Sequence, residues 1–377
     1  MKKKIIFISG TRADFGKIKS VVQSLLNENF NIKIFVTGMH LDKKYGFTYN
    51  ELKKSFDEKI LHKFINYKSN ENQDIILANT ITGFNKFLKK FKPDLVIVHG
   101  DRIEALAGAI SATLNNYLTM HIEGGELTGT IDEHLRHSIS KLSHLHIVSN
   151  LVAKRRLIKK LGESPRSIFV CGSPDIDIMK KSSLPNIHDV KKRYSIKFEN
   201  YGILLFHPVT TELKKTKQYS EYLIKGCIKS NKKFIVIYPN NDPGNNEILK
   251  LYNSKLKKNR HFKLLKSMRF EYFLTLLKNS SLILGNSSAG IIEAPVYGIP
   301  TINLGSRQKN RVKKIKSIYN LNFETKNLYK QIISLYGKKF KKRFIFGDGK
   351  SSKKIANILK LRNIWNTPVQ KIFNDKK

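Results

Sequence analysis

Short apolar runs alternate with stretches of helical periodicity along almost the whole chain. In the first half the apolar runs predict strands at Lys4–Ser9, Ile32–Thr37, Leu95–Val98, Tyr117–Ile122, His144–Ser149 and Ser167–Cys171. Helical spacing predicts Asp14–Leu26, Asp74–Lys89, Ile103–Leu114, Asp132–Leu142, Leu151–Leu161 and Pro174–Lys180. Around Ser182–Asn200 the chain turns polar and irregular, which predicts a domain boundary. The alternation then restarts. Strands are expected at Gly202–Phe206, Lys233–Tyr238, Phe262–Leu265, Ser281–Gly285 and Pro300–Leu304. Helices are expected near Thr211–Lys229, Asn245–Leu256, Phe270–Lys278, Ala289–Tyr297, Lys326–Tyr336 and Ser351–Lys360. Strands that alternate with helices imply an α/β fold with mainly parallel sheets. We expect two Rossmann-like doubly wound domains facing a cleft, residues 1–185 and 186–360. A tail, 361–377, is expected to pack back on the N-terminal domain through Trp365, the one tryptophan.

Polar residues just past the C-terminal ends of parallel strands sit at the ligand crevice of such folds. The run Leu95–Val98 ends at His99-Gly100-Asp101-Arg102, and Tyr117–Ile122 ends at Glu123-Gly124-Gly125-Glu126. Asp101, Glu123, Glu126 and Asp132 are therefore expected in one crevice. Crowded carboxylates push each other's pKa values apart, so one can act as a base and another as an acid. The competing reading is helix capping, since Asp101 and Asp132 each precede a predicted helix. Arg102 beside Asp101 favours an anion site over a carboxylate metal site. Gly10-Thr11-Arg12-Ala13-Asp14-Phe15-Gly16 matches neither the dinucleotide nor the ATP loop pattern. It is either a β–α turn or a helix N-terminus where Arg12 clamps a phosphate. His40 ends another strand. Phe206-His207-Pro208 aims His207 at the cleft. Tyr238–Asp242 places Asn240 at a strand end, and Gly285–Gly290 offers Ser287, Ser288 and backbone N–H groups to an anion, with Glu293 one turn on. His134, His137, His144 and His146 lack the partners of a zinc site, so no metal is expected.

Composition narrows the function classes. The chain has 377 residues, 40% hydrophobic, which suits two domains with sizeable cores. It has no apolar run of about 18 residues, so no membrane span is expected. The N-terminal MKKKIIFIS is too short in its apolar part for a signal peptide and reads as a first strand. Two cysteines, Cys171 and Cys227, build no disulfide framework and fit a cytoplasmic protein. The formal net charge is +41. Dispersed lysines without a nucleic-acid module argue for solvated helix faces rather than nucleic-acid binding. The basic runs Lys309–Lys316 and Lys338–Arg343 are read the same way, with phosphate steering as their one assigned effect.

Read together, GTRADFGK, VTGMH, HGDRIEALAGA, HIEGGELTGTIDEHLRHSISKLSH, GSPDIDIM, FHPVTTE, YPNND, SMRFEYF and GNSSAGIIEAPVYGIP resemble, in order, the hydrolysing UDP-N-acetylglucosamine 2-epimerases of bacterial sialic acid synthesis. The resemblance implies a GT-B-like pair of domains, a UDP-sugar substrate, no cofactor, and a homodimer or homotetramer. It implies conversion of UDP-N-acetylglucosamine and water to N-acetylmannosamine and UDP through a 2-acetamidoglucal. By matching motifs, Asp101, Glu123 and Asp132 are the implied catalytic acids, and His207 the implied histidine near the diphosphate. Arg12, His40, Arg102, Asn240, Ser287, Ser288, Glu293 and Arg307 are implied contacts to UDP or the sugar. Met268 and Arg269, within Ser267–Phe270, are implied contacts to the uracil, largely through backbone. The chain departs from the pattern at Ile292, where many relatives carry Arg, and at Gly16, where the animal enzymes carry Ser. Related enzymes perform the same chemistry on UDP-N,N′-diacetylbacillosamine, and a non-hydrolysing branch re-adds UDP. Both stay open from sequence.

Overall fold

The computed structural model describes residues 2–43, 46–67, 71–180, 184–240, 242–312 and 314–374. It divides into two compact units. Unit 1 comprises residues 1–126, 132–180 and 345–377, and unit 2 comprises 127–131 and 181–344.

Unit 1 is built on β1 (Lys4–Ser9), β2 (Asn31–Val36), β3 (Leu61–Lys63), β4 (Leu95–His99), β5 (Leu118–Ile122), β6 (Leu145–Val148) and β7 (Ile168–Val170). Their order across the sheet is β3-β2-β1-β4-β5-β6-β7, and every pair is parallel. The helices are α1 (Arg12–Asn27), α2 (Tyr49–Ser55), α3 (Gln73–Phe91), α4 (Ile103–Leu114), α5 (Ile131–Leu142), α6 (Leu151–Leu161) and α7 (Pro174–Met179). The strand period of two divides each central strand between two cores. Ile5 and Phe7 of β1 pack with Ile18, Val21 and Leu25 of α1, while Ile6 and Ile8 pack with Phe84 and Leu88 of α3 and Ala105 and Ala109 of α4. Burial on both faces is why these strands read as continuous apolar runs.

Unit 2 contains α8 (Ile187–Arg193), β8 (Gly202–Leu205), α9 (Thr216–Lys229), β9 (Phe234–Ile237), α10 (Asn245–Leu251), β10 (Phe262–Leu265), α11 (Phe270–Lys278), β11 (Leu282–Gly285), α12 (Glu293–Tyr297), β12 (Thr301–Leu304), β13 (Ile318–Leu321) and α13 (Leu328–Leu335). Its parallel sheet has the order β10-β9-β8-β11-β12-β13. Leu204, Val236, Leu284 and Ile302 form one core with Leu223 of α9 and Ile332 of α13. The α/β fold with two doubly wound sheets is as the alternation predicts.

Several elements differ from the pattern. The strands β3 and β13 were not expected. Both lie at a sheet edge, where one flank is solvent, and their residues are mostly half-buried or exposed. The expected helix Thr211–Lys229 starts as a 3-10 turn over Thr210–Lys215, with Glu212 off helical geometry. The Glu212 carboxylate accepts hydrogen bonds from Ser306 Oγ and Tyr219 OH, both at 2.7 Å. The expected helix Ala289–Tyr297 resolves into a 3-10 turn at Ser288–Gly290 and the five-residue α12. Of the irregular stretch 182–200, Ser182 and Ser183 lie outside the described residues, and α8 occupies Ile187–Arg193. Helix α14 (Ser351–Leu359) belongs to unit 1 rather than to the 186–360 segment. The reason is packing: Ile355, Ala356 and Leu359 are buried in the core that α1 lines. Trp365 packs on the same core, its ring 6.2 Å from Phe30. Farther along the tail, Lys371 Nζ donates to the carbonyls of Lys141 and Ser143 at the end of α5, both at 2.7 Å. Among the described residues no helix is long and apolar enough to cross a membrane.

Candidate active site

In unit 1 the strand order reverses between β1 and β4, so the loops that leave these strands diverge and open a crevice at their C-terminal ends. Gly10–Arg12 follows β1, Asp101–Arg102 follows β4, and Glu123 follows the neighbouring β5. Asp101 does not cap α4. The flanking residue there is Arg102, without a side-chain cap bond. Asp132 is the second residue of α5, so it is not an N-cap either. The Asp101 carboxylate instead pairs with Arg136, one turn farther along α5 than Asp132. Arg136 is 2% exposed and also donates to the carbonyl of Glu126 at 3.3 Å. The Glu126 carboxylate accepts from Ser149 Oγ at 2.8 Å.

Glu123 has φ +70°, a left-handed backbone that a residue with a Cβ adopts only at a cost of roughly 1–3 kcal/mol. Its surroundings hold it there. Lys17 Nζ lies 3.1 Å from Oε1 and 3.3 Å from Oε2, and Ser173 Oγ donates to Oε1 at 2.6 Å. His99 Nε2 stands 3.5 Å from Oε2. Burial pushes the Glu123 carboxyl up, but the Lys17 ammonium, His99 and the Ser173 hydroxyl together hold it well below the usual carboxylate range. Glu123 is therefore ionised at neutral pH. Lys17 is shared with the buried Asp175, at 3.5 Å. The other ring nitrogen of His99, Nδ1, is buried without a hydrogen-bond partner among the described residues. His121 supports the Asp101 loop from below: Nε2–H donates to the carbonyl of Gly100 at 2.8 Å, and Nδ1 meets Ser140 Oγ at 2.9 Å. Burial pushes its pKa down to about 3, so it stays neutral.

The loop after β1 is set by its own residues. Thr11 and Asp14 form a capping box at the start of α1. Arg12 pairs with Glu51. His40 is wholly buried, with Nε2 2.9 Å from Ser9 Oγ and Nδ1 2.6 Å from Thr48 Oγ1. Its ring braces the loops after β1 and β2, which differs from the ligand contact expected of it. Glu104, in the first turn of α4, lies under these same loops at 3% exposure. A Cβ on Gly10 would come within 2.6 Å of its Cδ, and one on Gly38 within 2.6 Å of its Oε1. Its Oε2 is buried without a partner among the described residues, and burial raises its pKa. A carboxyl whose folded pKa is raised lowers stability as pH climbs past its unfolded value. Glu104→Gln is accordingly expected to raise the melting temperature more at pH 8 than at pH 4, by on the order of 1 kcal/mol of stability. Glu104→Ala, which opens a cavity, should lower stability at both pH values. A Gln variant that unfolds earlier than wild type at pH 8 would contradict a raised Glu104 pKa.

In unit 2 the reversal lies between β8 and β11, and the loops there carry His207 and Asn286–Ser288. The Asn286 amide bridges the two: Oδ1 accepts from the His207 N–H and Nδ2 donates to the His207 carbonyl, both at 2.8 Å. His207 Nδ1 accepts the Asn240 N–H at 3.2 Å, which puts the proton of the neutral ring on Nε2. Ser287 Oγ accepts from the Ala289 N–H at 3.3 Å, and Ser288 opens the 3-10 turn. Glu293 is buried at the start of α12. Arg307 Nη1 and Gln308 Nε2 both reach the Asn286 carbonyl, at 3.4 and 3.3 Å. Residues 127–131 belong to this unit. The Gly129 N–H donates to the Arg307 carbonyl at 2.9 Å, so close that a Cβ there would fall 1.9 Å from the Ser306 carbonyl oxygen. Met268 is buried, the Arg269 N–H donates to Tyr194 OH at 3.2 Å, and the Arg269 guanidinium lies 5.1 Å from the Tyr272 ring centroid. One backbone donor of the expected uracil contact is thus already engaged.

Unit 1 places Arg12, Asp101, Arg102, Glu123 and Asp132 in the loops or first helical turns that follow β1, β4 and β5, and unit 2 places His207, Asn240, Ser287, Ser288, Glu293 and Arg307 in those that follow β8, β9, β11 and β12. Lys17, His99, Arg136 and Ser173 surround the carboxylates without having been expected.

Comparison with known proteins adds the following. A sequence model of the UDP-N-acetylglucosamine 2-epimerase family matches residues 24–360. A UDP-N-acetylglucosamine 2-epimerase of Neisseria meningitidis serogroup B is 44% identical over 99% of this chain and 99% of its own. A UDP-N,N′-diacetylbacillosamine 2-epimerase (hydrolyzing) of Legionella pneumophila is 34% identical over 96% of each. Among solved structures, UDP-GlcNAc 2-epimerase from Neisseria meningitidis bound to UDP-GlcNAc aligns with TM-score 0.77 at 22% identity, covering 94% of this chain and 99% of that one. The Methanocaldococcus jannaschii enzyme in complex with UDP-GlcNAc and UDP aligns with TM-score 0.78 at 24% identity, with the same coverage. These likenesses establish the fold.

Proposed function

The chain belongs to the UDP-N-acetylglucosamine 2-epimerase family, and from that premise we propose that it is a hydrolysing member. In this reading it converts UDP-N-acetylglucosamine and water to N-acetylmannosamine and UDP, the first step of sialic acid synthesis. The observation that carries the proposal is the ionised Glu123, fixed in a strained backbone and beside the Asp101 loop. Such a carboxylate is unprotonated at neutral pH, as a group that accepts a proton must be.

The reaction runs in two stages. A carboxylate takes the C2 proton, the C2 electron pair closes the C1–C2 double bond, and the C1–O bond breaks so that UDP leaves. Water then adds to the glycal: its oxygen bonds to C1 and gives a proton to a carboxylate base, while an acid returns a proton to C2 on the opposite face. Asp101, Glu123 and Asp132 are the proton-transfer groups. The C2–H bond is weakly acidic, so stabilising the departing diphosphate matters as much as the base. His207 Nε2–H, Ser287, Ser288 and Arg307 serve the diphosphate. Arg12 and Arg102 are the basic residues of unit 1 assigned to the substrate, and Asn240, Met268, Arg269 and Glu293 serve the nucleotide and sugar. No cofactor is required. The hydrolysing branch is favoured because relatives named as hydrolysing, from Legionella pneumophila and Campylobacter jejuni, are 34% and 35% identical. Those same names make UDP-N,N′-diacetylbacillosamine the second reading of the substrate.

Proton NMR of the protein with UDP-N-acetylglucosamine in D2O tests this. Free UDP and N-acetylmannosamine with deuterium at C2 are expected. UDP-N-acetylmannosamine without free sugar would move the chain to the non-hydrolysing branch. Turnover of UDP-N,N′-diacetylbacillosamine alone would keep the chemistry and change the substrate.

A further inference from the structure

The positive charge of this chain is not evenly spread. Residues 309–344 carry ten lysines and two arginines against one acidic residue, Glu324, whereas the whole chain carries 70 basic and 29 acidic residues. Two stretches of this segment, 314–317 and 337–343, lie at the N-terminal ends of the unit 2 strands, opposite His207 and Ser287. Ser317 directly precedes β13, and its carbonyl accepts from Thr301 N–H at the start of β12, which places Lys314 and Lys316 beside that strand end. The stretch 337–343 then runs past the N-terminal ends of β11 and β12. Gly337 N–H donates to the Ser281 carbonyl at 3.0 Å, Phe340 N–H to the Gly298 carbonyl at 2.9 Å, and Arg343 N–H to the Pro295 carbonyl at 2.9 Å. These backbone bonds fix an irregular segment whose Lys338, Lys341, Lys342 and Arg343 are exposed. Among the described residues the ion pairs found involve none of Lys314, Lys316, Lys338, Lys341, Lys342 or Arg343. Phe344, 43% exposed, follows the run directly, and Ile333 of α13 is 47% exposed.

We propose that the N-terminal edge of the unit 2 sheet, presented by Lys314, Lys316 and Lys338–Arg343, is a docking face for the anionic headgroups of a bilayer surface. The chemistry favours headgroups over nucleic acid. Lysine is a compact, strongly hydrated point charge suited to a diffuse anionic plane, whereas bidentate recognition of bases and phosphates calls for arginine, of which the segment has two against ten lysines. The exposed Phe344 that directly follows a polybasic run also suits the boundary between headgroups and acyl chains. The ligand edge of the sheet points the other way, so docking and catalysis use opposite ends of the same strands.

Co-sedimentation of the full chain with vesicles of phosphatidylcholine, with and without phosphatidylglycerol, tests the proposal at physiological salt. Wild type should bind the phosphatidylglycerol vesicles and not the neutral ones. Replacing Lys314, Lys316, Lys338, Lys341, Lys342 and Arg343 with Gln should weaken that binding by about tenfold or more. A control variant with Lys86, Lys89, Lys90, Arg155, Lys159 and Lys160 of unit 1 changed to Gln loses the same charge and should bind as wild type does. Equal losses in the two variants would mean that dispersed charge, not this face, does the binding, and would overturn the proposal. So would failure of wild type to bind, or tighter retention on duplex DNA that the first variant alone loses. Melting temperature confirms that each variant is folded, and the test does not depend on the substrate assigned above.

Discussion

Glu123→Gln is expected to lower kcat by about a thousandfold, with KM for UDP-N-acetylglucosamine changed by less than about threefold. The glutamine keeps the shape of the side chain and can still accept from Ser173, but it cannot take a proton. The nucleotide contacts assigned to unit 2 are untouched, which is why the loss should fall on kcat rather than KM. The residual rate should carry a second signature. If Glu123 is the C2 base, substrate recovered from D2O will hold no deuterium and no glycal will form. If it serves the hydration stage, 2-acetamidoglucal and UDP will be released instead. Asp101→Asn and Asp132→Asn, run alongside, sort the remaining roles by the same two readouts. A Glu123→Gln enzyme with kcat within threefold of wild type would remove this carboxylate from the chemistry, whatever its strain.

The positions of Asp101 and Glu123 were legible in the sequence because β4 and β5 are buried on both faces. Such strands announce their ends, and the residues past those ends fall at the crevice by topology alone. Their partners were not legible. Lys17 meets Glu123 across 106 residues of sequence, and in a chain with 70 basic residues nothing local separates it from a solvated lysine. Arg136 lies within the very motif that was singled out, yet a helical arginine reads as surface until its burial is seen. Glu104 was hidden by the opposite effect: an acid in the first turn of a helix is expected on dipole grounds, and nothing in the spacing says that Gly10 and Gly38 close over it. The edge strands β3 and β13 escaped because strand prediction leans on apolar runs, and an edge has only part of one. His40 shows the limit from the other side. Its place after a strand suggested ligand contact, but its ring is spent on Ser9 and Thr48.

Lys17→Met should be the most damaging change to stability, at about 3–5 kcal/mol, because it leaves two buried carboxylates without their shared cation. The pH dependence gives the claim its sign. In wild type the folded pKa of Glu123 lies below its ordinary value, so its contribution is complete above the unfolded pKa of roughly 4.3 and is lost as pH falls through the lower folded value. Without Lys17, burial is the largest influence left and drives the carboxyl upward. The native state then binds a proton that the unfolded chain releases, and stability falls as pH rises. The gap in unfolding free energy between wild type and variant should therefore widen from pH 4 to pH 7. The same shift protonates the proposed base, so the acid limb of kcat/KM should move to higher pH. Lys17→Arg keeps a cation in place and should restore much of both effects. A Met variant that loses stability while its acid limb stays put would make Lys17 a clamp on the fold with no hold on the reaction. An acid limb that moves with the loss would tie the buried lysine directly to the ionisation on which proton abstraction depends.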